Sequence, residues 1–238
     1  MTSPPRPTTV PTLAGLTVLF AVAFGVLTHN VVDRSGLTVI DPEVSGWAVT
    51  QRNAVLTPLA HFLSAIGGTL PMTVVATAVT LLLYRAGDRA HATLVAVAGL
   101  GAALIVFGGK RIIGRERPPV VDRLAVENSL AYPSGHSVGT FVVIGIVAVV
   151  LIPKLTGTLA RIATGTAAAL FVVAVGCSRV YLGVHWPTDV LGAWCVSAAW
   201  ILFCLTVFHY RREVPDEPVP DAESPTRTDP RTVPDDDL

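Results

Sequence analysis

Charge is scarce in this chain. Only 14% of its 238 residues are Asp, Glu, Lys or Arg, against 51% that are hydrophobic. A water-soluble domain carries about 25% charged residues, so the composition argues against a soluble fold and for a membrane protein. The mean hydropathy of +0.60 agrees. Cysteine is also sparse. Cys177, Cys195 and Cys204 lie in or at the edge of apolar runs, with no CxxC and no Cys/His metal spacing. They read as small apolar packing residues, not as disulfide or metal sites. No internal repeat is visible, and the Lys and Arg residues form no continuous stripe, which argues against nucleic acid as a partner.

The zero net charge hides an asymmetry. From Glu213 to Leu238 there are nine acidic residues and two basic ones, Arg227 and Arg231, and six prolines follow Arg212. Such a segment cannot support a packed core, so 211–238 is expected to be a disordered acidic tail. Residues 1–10, rich in Pro and Thr, are expected to be disordered too. The body between carries the matching positive excess, which suits a membrane surface or a phosphorylated ligand.

Six apolar stretches fill 11–210. The first, Pro11 to Thr28, carries no charge, and its length of about eighteen residues approaches a bilayer span. A secretory signal peptide competes for this segment, but Arg6 is the one cation ahead of it and no clean cleavage site follows. A polar stretch comes next, in which Val44 to Val55 is expected to form an interfacial helix with Trp47 at headgroup level. The other spans are Pro58 to Tyr84, with Pro71 as kink or boundary, Ala90 to Gly109, Ser137 to Ile152, Leu159 to Cys177 and Pro187 to Phe208. Helices are the form that satisfies the backbone within such runs. The expected fold is therefore all-α, a six-transmembrane-helix bundle.

Three polar segments break this pattern, and polar groups beside spans are functional candidates. They are Lys110 to Pro118 after the third span, Pro133 to His136 before the fourth, and Ser178 to Asp189 between the fifth and sixth. In a six-span alternation all three fall at the same membrane face. Lys110, Arg117 and Arg179 are cations that could surround a phosphoryl group, the arginines in bidentate fashion. Gly135 permits close backbone approach at a helix start, where free N–H groups favour an anion. His136 and His185 could act as nucleophile and acid. Asp189, one helical turn after His185, could accept the far ring N–H and fix its tautomer. That makes His185 the better nucleophile and His136 the better acid. Taken singly, each segment has a plainer reading: an N-cap at Ser134, a membrane-edge anchor at Lys110, an ordinary i,i+4 bond at His185. Their combination carries the inference.

These segments closely resemble the signature of the type 2 phosphatidic acid phosphatase family, K-x6-RP, PSGH and SR-x5-H-x3-D. All eleven positions match: Lys110, Arg117, Pro118, Pro133, Ser134, Gly135, His136, Ser178, Arg179, His185 and Asp189. The resemblance implies a helical core and a phosphatase that needs no metal or other cofactor and works through a phosphohistidine. In it His185 would be nucleophile, Asp189 its orienter and His136 the general acid. Lys110, Arg117, Ser134, Gly135 and Arg179 would hold the phosphate. Family substrates include phosphatidic acid, phosphatidylglycerophosphate and isoprenyl diphosphates, so a lipid phosphate and the bilayer are the implied partners. The same motifs occur in soluble vanadate-dependent haloperoxidases, which the six apolar spans argue against. Asp122, Arg123, Glu127 and Asn128, in the loop between the first two motifs, could tune substrate choice.

The resemblance also implies a plasma-membrane protein with an outward site and cytoplasmic termini. The positive-inside count is close in that orientation, seven cations inside and eight outside, or seven to five without the three motif cations. A phosphoryl or headgroup transferase of the same fold, and a non-catalytic lipid-phosphate binder, are the competing readings. A pure binder needs no oriented nucleophile.

Overall fold

The structure, a computed structural model, describes residues 9–213, and every regular element among them is helical. The helices are α1 (Thr9–Asp33), α2 (Asp41–Thr50), α3 (Leu56–Ile66), α4 (Thr69–Arg85), α5 (Arg89–Ile113), α6 (Gly135–Leu151), α7 (Thr158–Tyr181) and α8 (Pro187–Glu213). Short 3-10 segments lie at Gly36–Ile40, Val120–Asp122 and Ile152–Lys154. Five helices, α1, α5, α6 with its following turn, α7 and α8, are each long and apolar enough to cross a bilayer. The pair α3 and α4, bent by 43° at its break, is together long and apolar enough to count as a sixth candidate span.

Helix α6 lies at the centre, against α4, α5, α7 and α8. It buries Val138, Val142, Ile146 and Val150, four residues apart and hence on one stripe. These meet Val95, Ala98 and Ala102 of α5 and Ala193, Ile201 and Cys204 of α8. Small residues let the backbones approach: a Cβ on Gly101 would strike the ring of Trp200, whose Nε1 donates to the Ala98 carbonyl at 3.0 Å. Cys204 packs in this core, whereas Cys177 faces outward on α7. Leu19, Leu82, Leu100, Leu104 and Leu170 are all exposed. Burying such a side chain is worth about 1.5–3 kcal/mol in water, so hydrocarbon is the medium that suits this exterior.

Several boundaries differ from the sequence expectation. The kink expected at Pro71 falls instead at Gly67–Gly68, and Pro71 sits in the first turn of α4, where an N–H would have no intrahelical partner in any case. The Gly67 carbonyl, one turn before Pro71, accepts from the buried hydroxyl of Thr140 at 2.9 Å. The helix expected at Val44–Val55 forms as α2, which starts and ends earlier, with Trp47 exposed. Helix α7 runs on to Tyr181, so Ser178 and Arg179 lie on its last turn and not in a linker. Helices α1 and α8 reach Thr9 and Glu213, beyond the expected limits of 11 and 210. The rest of the expected N-terminal and acidic disordered segments lies outside the described residues.

Candidate active site

Close packing at glycines brings the three polar segments together. A Cβ on Gly109 would collide with the ring of Pro133, and one on Gly135 would press on Val106. These glycines thus seat the start of α6 on the last turns of α5. Gly114, at φ +67°, ends α5 in a left-handed cap whose N–H donates to the Lys110 carbonyl at 3.2 Å. The Ser134 N–H donates to the Asp189 carbonyl at 3.3 Å, tying the second segment to the third. Arg117 Nη1 donates to the Val184 carbonyl at 2.5 Å, tying the first to the third.

Ser134 is fully buried and caps α6, accepting from the N–H and hydroxyl of Ser137 at 3.5 and 3.0 Å. The cap fixes the helix start whose Gly135 and His136 N–H groups precede the first intrahelical bond. The α3–α4 break, which sequence reasoning did not attach to the site, frames it as well. Ser64 of α3 accepts from Arg179 Nη1, and a Cβ on Gly68 would lie 3.5 Å from Nε2 of His136. The signal was present in the Gly67–Gly68 pair.

His185 is buried in the turn between α7 and α8. Its Nε2 lies 3.2 Å from Nη1 of Arg117 and its Nδ1 3.3 Å from Oδ2 of Asp189. A guanidinium can only donate, so Nε2 accepts and the ring proton sits on Nδ1, facing the carboxylate. Burial, reinforced by the charges of Arg117, Arg179 and Lys110 and opposed by Glu127, holds the His185 pKa well below 6.5. The ring is thus neutral at pH 7, with a lone pair on Nε2. Such a nitrogen among cations is suited to attack an anionic phosphoryl group.

Asp189 has other partners besides His185. Its Oδ2 also accepts from the Trp186 N–H at 2.8 Å, the backward limb of a capping box on α8. Its Oδ1 accepts from Arg115 Nη1 at 2.5 Å. Arg115 further bonds Thr188 and, at 2.6 Å, Oδ2 of Asp41. Asp41 accepts from the N–H of Thr188 through its other oxygen at 3.0 Å, so α2 caps α8 from outside. Sequence reasoning missed Arg115, Asp41 and Thr188. Below them Tyr132 donates to or accepts from Thr28 at 3.0 Å, joining α1 to the site end, and burial raises its pKa to about 12.

The three expected cations converge on one loop. Arg179 Nη2 donates to Oε1 of Glu127, and Arg117 Nη2 lies 3.5 Å from Oε2 of the same carboxylate. Arg117 also donates to the Ser129 carbonyl at 2.5 Å, and Lys110 Nζ to the Ser129 hydroxyl at 2.6 Å. Burial raises the pKa of Glu127, but the charges of Arg179 and Arg117 outweigh it and leave the carboxyl below its usual range. Asp122 and Arg123, by contrast, serve the loop's own structure: the Asp122 carbonyl accepts from Arg52 at 2.6 Å, and Arg123 donates to the Pro118 carbonyl at 2.8 Å.

Residues 89–213, more than half of the chain, match the PAP2 superfamily. The chain belongs to this superfamily. It is 36% identical over 114 residues to phosphatidylglycerophosphatase B of Bacillus subtilis, covering 43% of this chain and 53% of that protein. It is 37% identical over 93 residues to decaprenylphosphoryl-5-phosphoribose phosphatase of Mycolicibacterium smegmatis, covering 38% and 44%. The chain therefore spans about half the length of these curated relatives. The crystal structure of a transmembrane PAP2-type phosphatidylglycerolphosphate phosphatase from Bacillus subtilis superposes with a TM-score of 0.70 at 26% identity, over 84% of this chain and 98% of that one. Aquifex aeolicus LpxE shares the fold, with a TM-score of 0.53 at 16% identity over 72% and 95%. This PAP2 chain is a multi-pass integral membrane protein.

Proposed function

We propose that this PAP2 protein hydrolyses a terminal phosphate or a diphosphate from a lipid through a phosphohistidine on His185. The observation that carries the reading is the placement of the buried His185 ring, its Nε2 3.2 Å from Arg117 Nη1 and its Nδ1 3.3 Å from Oδ2 of Asp189. Nε2 attacks phosphorus as the bond to the lipid oxygen breaks, and His136 protonates that oxygen. His136 then takes a proton from water, which attacks phosphorus and releases His185 and inorganic phosphate. Lys110, Arg117, Arg179 and the Gly135 end of α6, capped by Ser134, hold the phosphoryl oxygens. Asp189 carries the imidazolium character that develops. The relatives named as phosphatidylglycerophosphatase and decaprenylphosphoryl-5-phosphoribose phosphatase support a lipid substrate. So does a cavity of about 970 Å³ between α4, α5 and α6, which has Lys110, Ser129 and Gly135 at one end and runs past Phe107 and Leu100 to Leu81.

Phosphate release from phosphatidylglycerophosphate and isoprenyl diphosphate by the purified protein, with EDTA present, tests the reading. His185→Ala should abolish it, and undiminished turnover by that variant would falsify the assignment.

We further infer a plasma-membrane location with the site outward and Thr9 and Glu213 toward the cytoplasm. The cation balance supports it once Lys110, Arg117 and Arg179 are assigned to substrate. In a chain with its native cysteines replaced, Ala125→Cys should react with an impermeant maleimide from outside and Ala86→Cys should not. The reverse pattern would invert the orientation.

A further inference from the structure

Two of the residues that would cradle a phosphate, Arg117 and Arg179, are already paired with an anion of the protein itself. Glu127 offers one carboxylate oxygen to Arg179 and the other to Arg117, at the 3.5 Å given above. Two residues on, the Ser129 hydroxyl accepts from Lys110 and, at 3.1 Å, from Arg117 Nη2. Each of the three cations is thus paired with the segment Glu127–Ser129. One group remains over: Nε of Arg179 is buried and has no acceptor among the described residues.

The segment is also built to yield. Its backbone is pinned where the Leu124 N–H donates to the Leu182 carbonyl at 2.9 Å and where the Ala131 N–H donates to the Arg115 carbonyl at 2.8 Å. Between those points, no backbone–backbone bond among the described residues involves 125–130. Side-chain donors supply the remaining hold: Arg117 on the Ser129 carbonyl and hydroxyl and, at 3.4 Å, on the Leu130 carbonyl, Lys110 on the Ser129 hydroxyl, and Arg179 on Glu127. Moving Glu127 out therefore breaks side-chain bonds without disturbing a helix.

We propose that Glu127 is a specificity-determining residue, a resident carboxylate that only a terminal phosphate can displace from Arg117 and Arg179. The inference rests on the phosphate-cradle reading above and deepens it. A carboxylate brings two oxygens and one negative charge. A phosphodiester headgroup also brings two free oxygens and one charge, so it gains nothing by exchange and must lose the tether that holds Glu127 in place. A terminal phosphate brings three oxygens and up to two charges, enough to engage both guanidiniums and the spare Nε of Arg179. In a bilayer made mostly of phosphodiester lipids, this competition keeps the cradle from filling with bulk headgroups. It also weakens the hold on inorganic phosphate, the product.

The test uses the full chain in detergent micelles and reads binding directly, without turnover. Inorganic phosphate is titrated by calorimetry into the wild type, Glu127→Gln and Glu127→Ala, with thermal unfolding as a check on folding. Both variants should bind phosphate at least about tenfold more tightly than the wild type, by removal of a competing charge. Phosphatidylglycerol added to the micelles should weaken phosphate binding severalfold in the variants and leave the wild type unchanged. Equal phosphate affinity in all three proteins overturns the role of Glu127 while leaving the cradle intact. Equal competition by phosphatidylglycerol in all three overturns the discrimination. Absence of phosphate binding in every protein refutes the cradle, and the proposal with it. Should the glutamine variant not fold, the alanine variant carries the same comparison.

Discussion

Nη1 of Arg115 lies 2.5 Å from Oδ1 of Asp189, and the two residues stand 74 positions apart in the chain. Arg115 is mostly buried and bridges two carboxylates that are themselves buried, Asp41 and Asp189. Removing one partner of such a cluster leaves charges without compensation, at a cost of about 3–5 kcal/mol. Arg115→Ala should therefore lower the thermal midpoint markedly. Because Asp189 then loses one of the groups that fix it, kcat should fall while KM changes little. Arg115→Lys, which restores charge without the fork, should recover stability better than kcat. Equal recovery of both would make Arg115 a purely structural residue.

The roles proposed for the two histidines separate by leaving group. His185→Ala should lose at least about a thousandfold in kcat on any phosphoester. His136→Ala removes only the proton donor, worth about 10²–10⁴ when the leaving oxygen is a poor one. It should therefore act far better on p-nitrophenyl phosphate than on a lipid phosphate, relative to wild type. Equal losses on both substrates would deny His136 the acid role.

Acid should weaken the fold through His185. Its folded pKa lies well below 6.5, so between that low value and 6.5 the unfolded chain binds the proton more readily than the folded one. Stability then rises with pH across this window and is lost as pH falls through it. Glu127, with its pKa below the usual carboxyl range, adds a loss of the same sign at lower pH. The thermal midpoint should drop from pH 7 to pH 5, and His185→Gln should flatten that slope. An unchanged slope in the variant would show that other groups set it.

Gly183 holds φ +69° in the turn that delivers His185, and a Cβ there would overlap the Asp122 carbonyl. Gly183→Ala meets both backbone strain and a clash with main chain, so a destabilisation of about 1–3 kcal/mol is expected. Unfolding in detergent measures it. Gly87, also at positive φ but with open space around it, should tolerate alanine with a smaller loss.

How much was legible follows the range of each interaction. The spans could be read from composition alone, because burial in hydrocarbon demands continuous apolar runs. His185 and Asp189 could be paired from spacing, since four residues make one helical turn. The gathering of Lys110, Ser134 and Arg179 at one end followed from counting crossings. The break at Gly67–Gly68 was misplaced to Pro71 because proline in a first turn leaves a helix unharmed, a fact that depends on where the turn begins. Arg115 stood in the first motif but carried no sign of its partners, and Glu127 was one of four polar loop residues with nothing to rank them.

By itself, then, the sequence determined the medium, the number of crossings and the residue types that meet at one membrane face. These depend on neighbours along the chain and on the hydrophobic effect, both of which act locally. Tertiary structure alone decided that Nε2 of His185 faces Arg117, that Asp189 is shared with Arg115, and that Glu127 occupies Arg179. The pairs that decide them, Arg115–Asp189, Arg117–His185 and Glu127–Arg179, stand 52 to 74 residues apart, and such separations are closed only by helix packing.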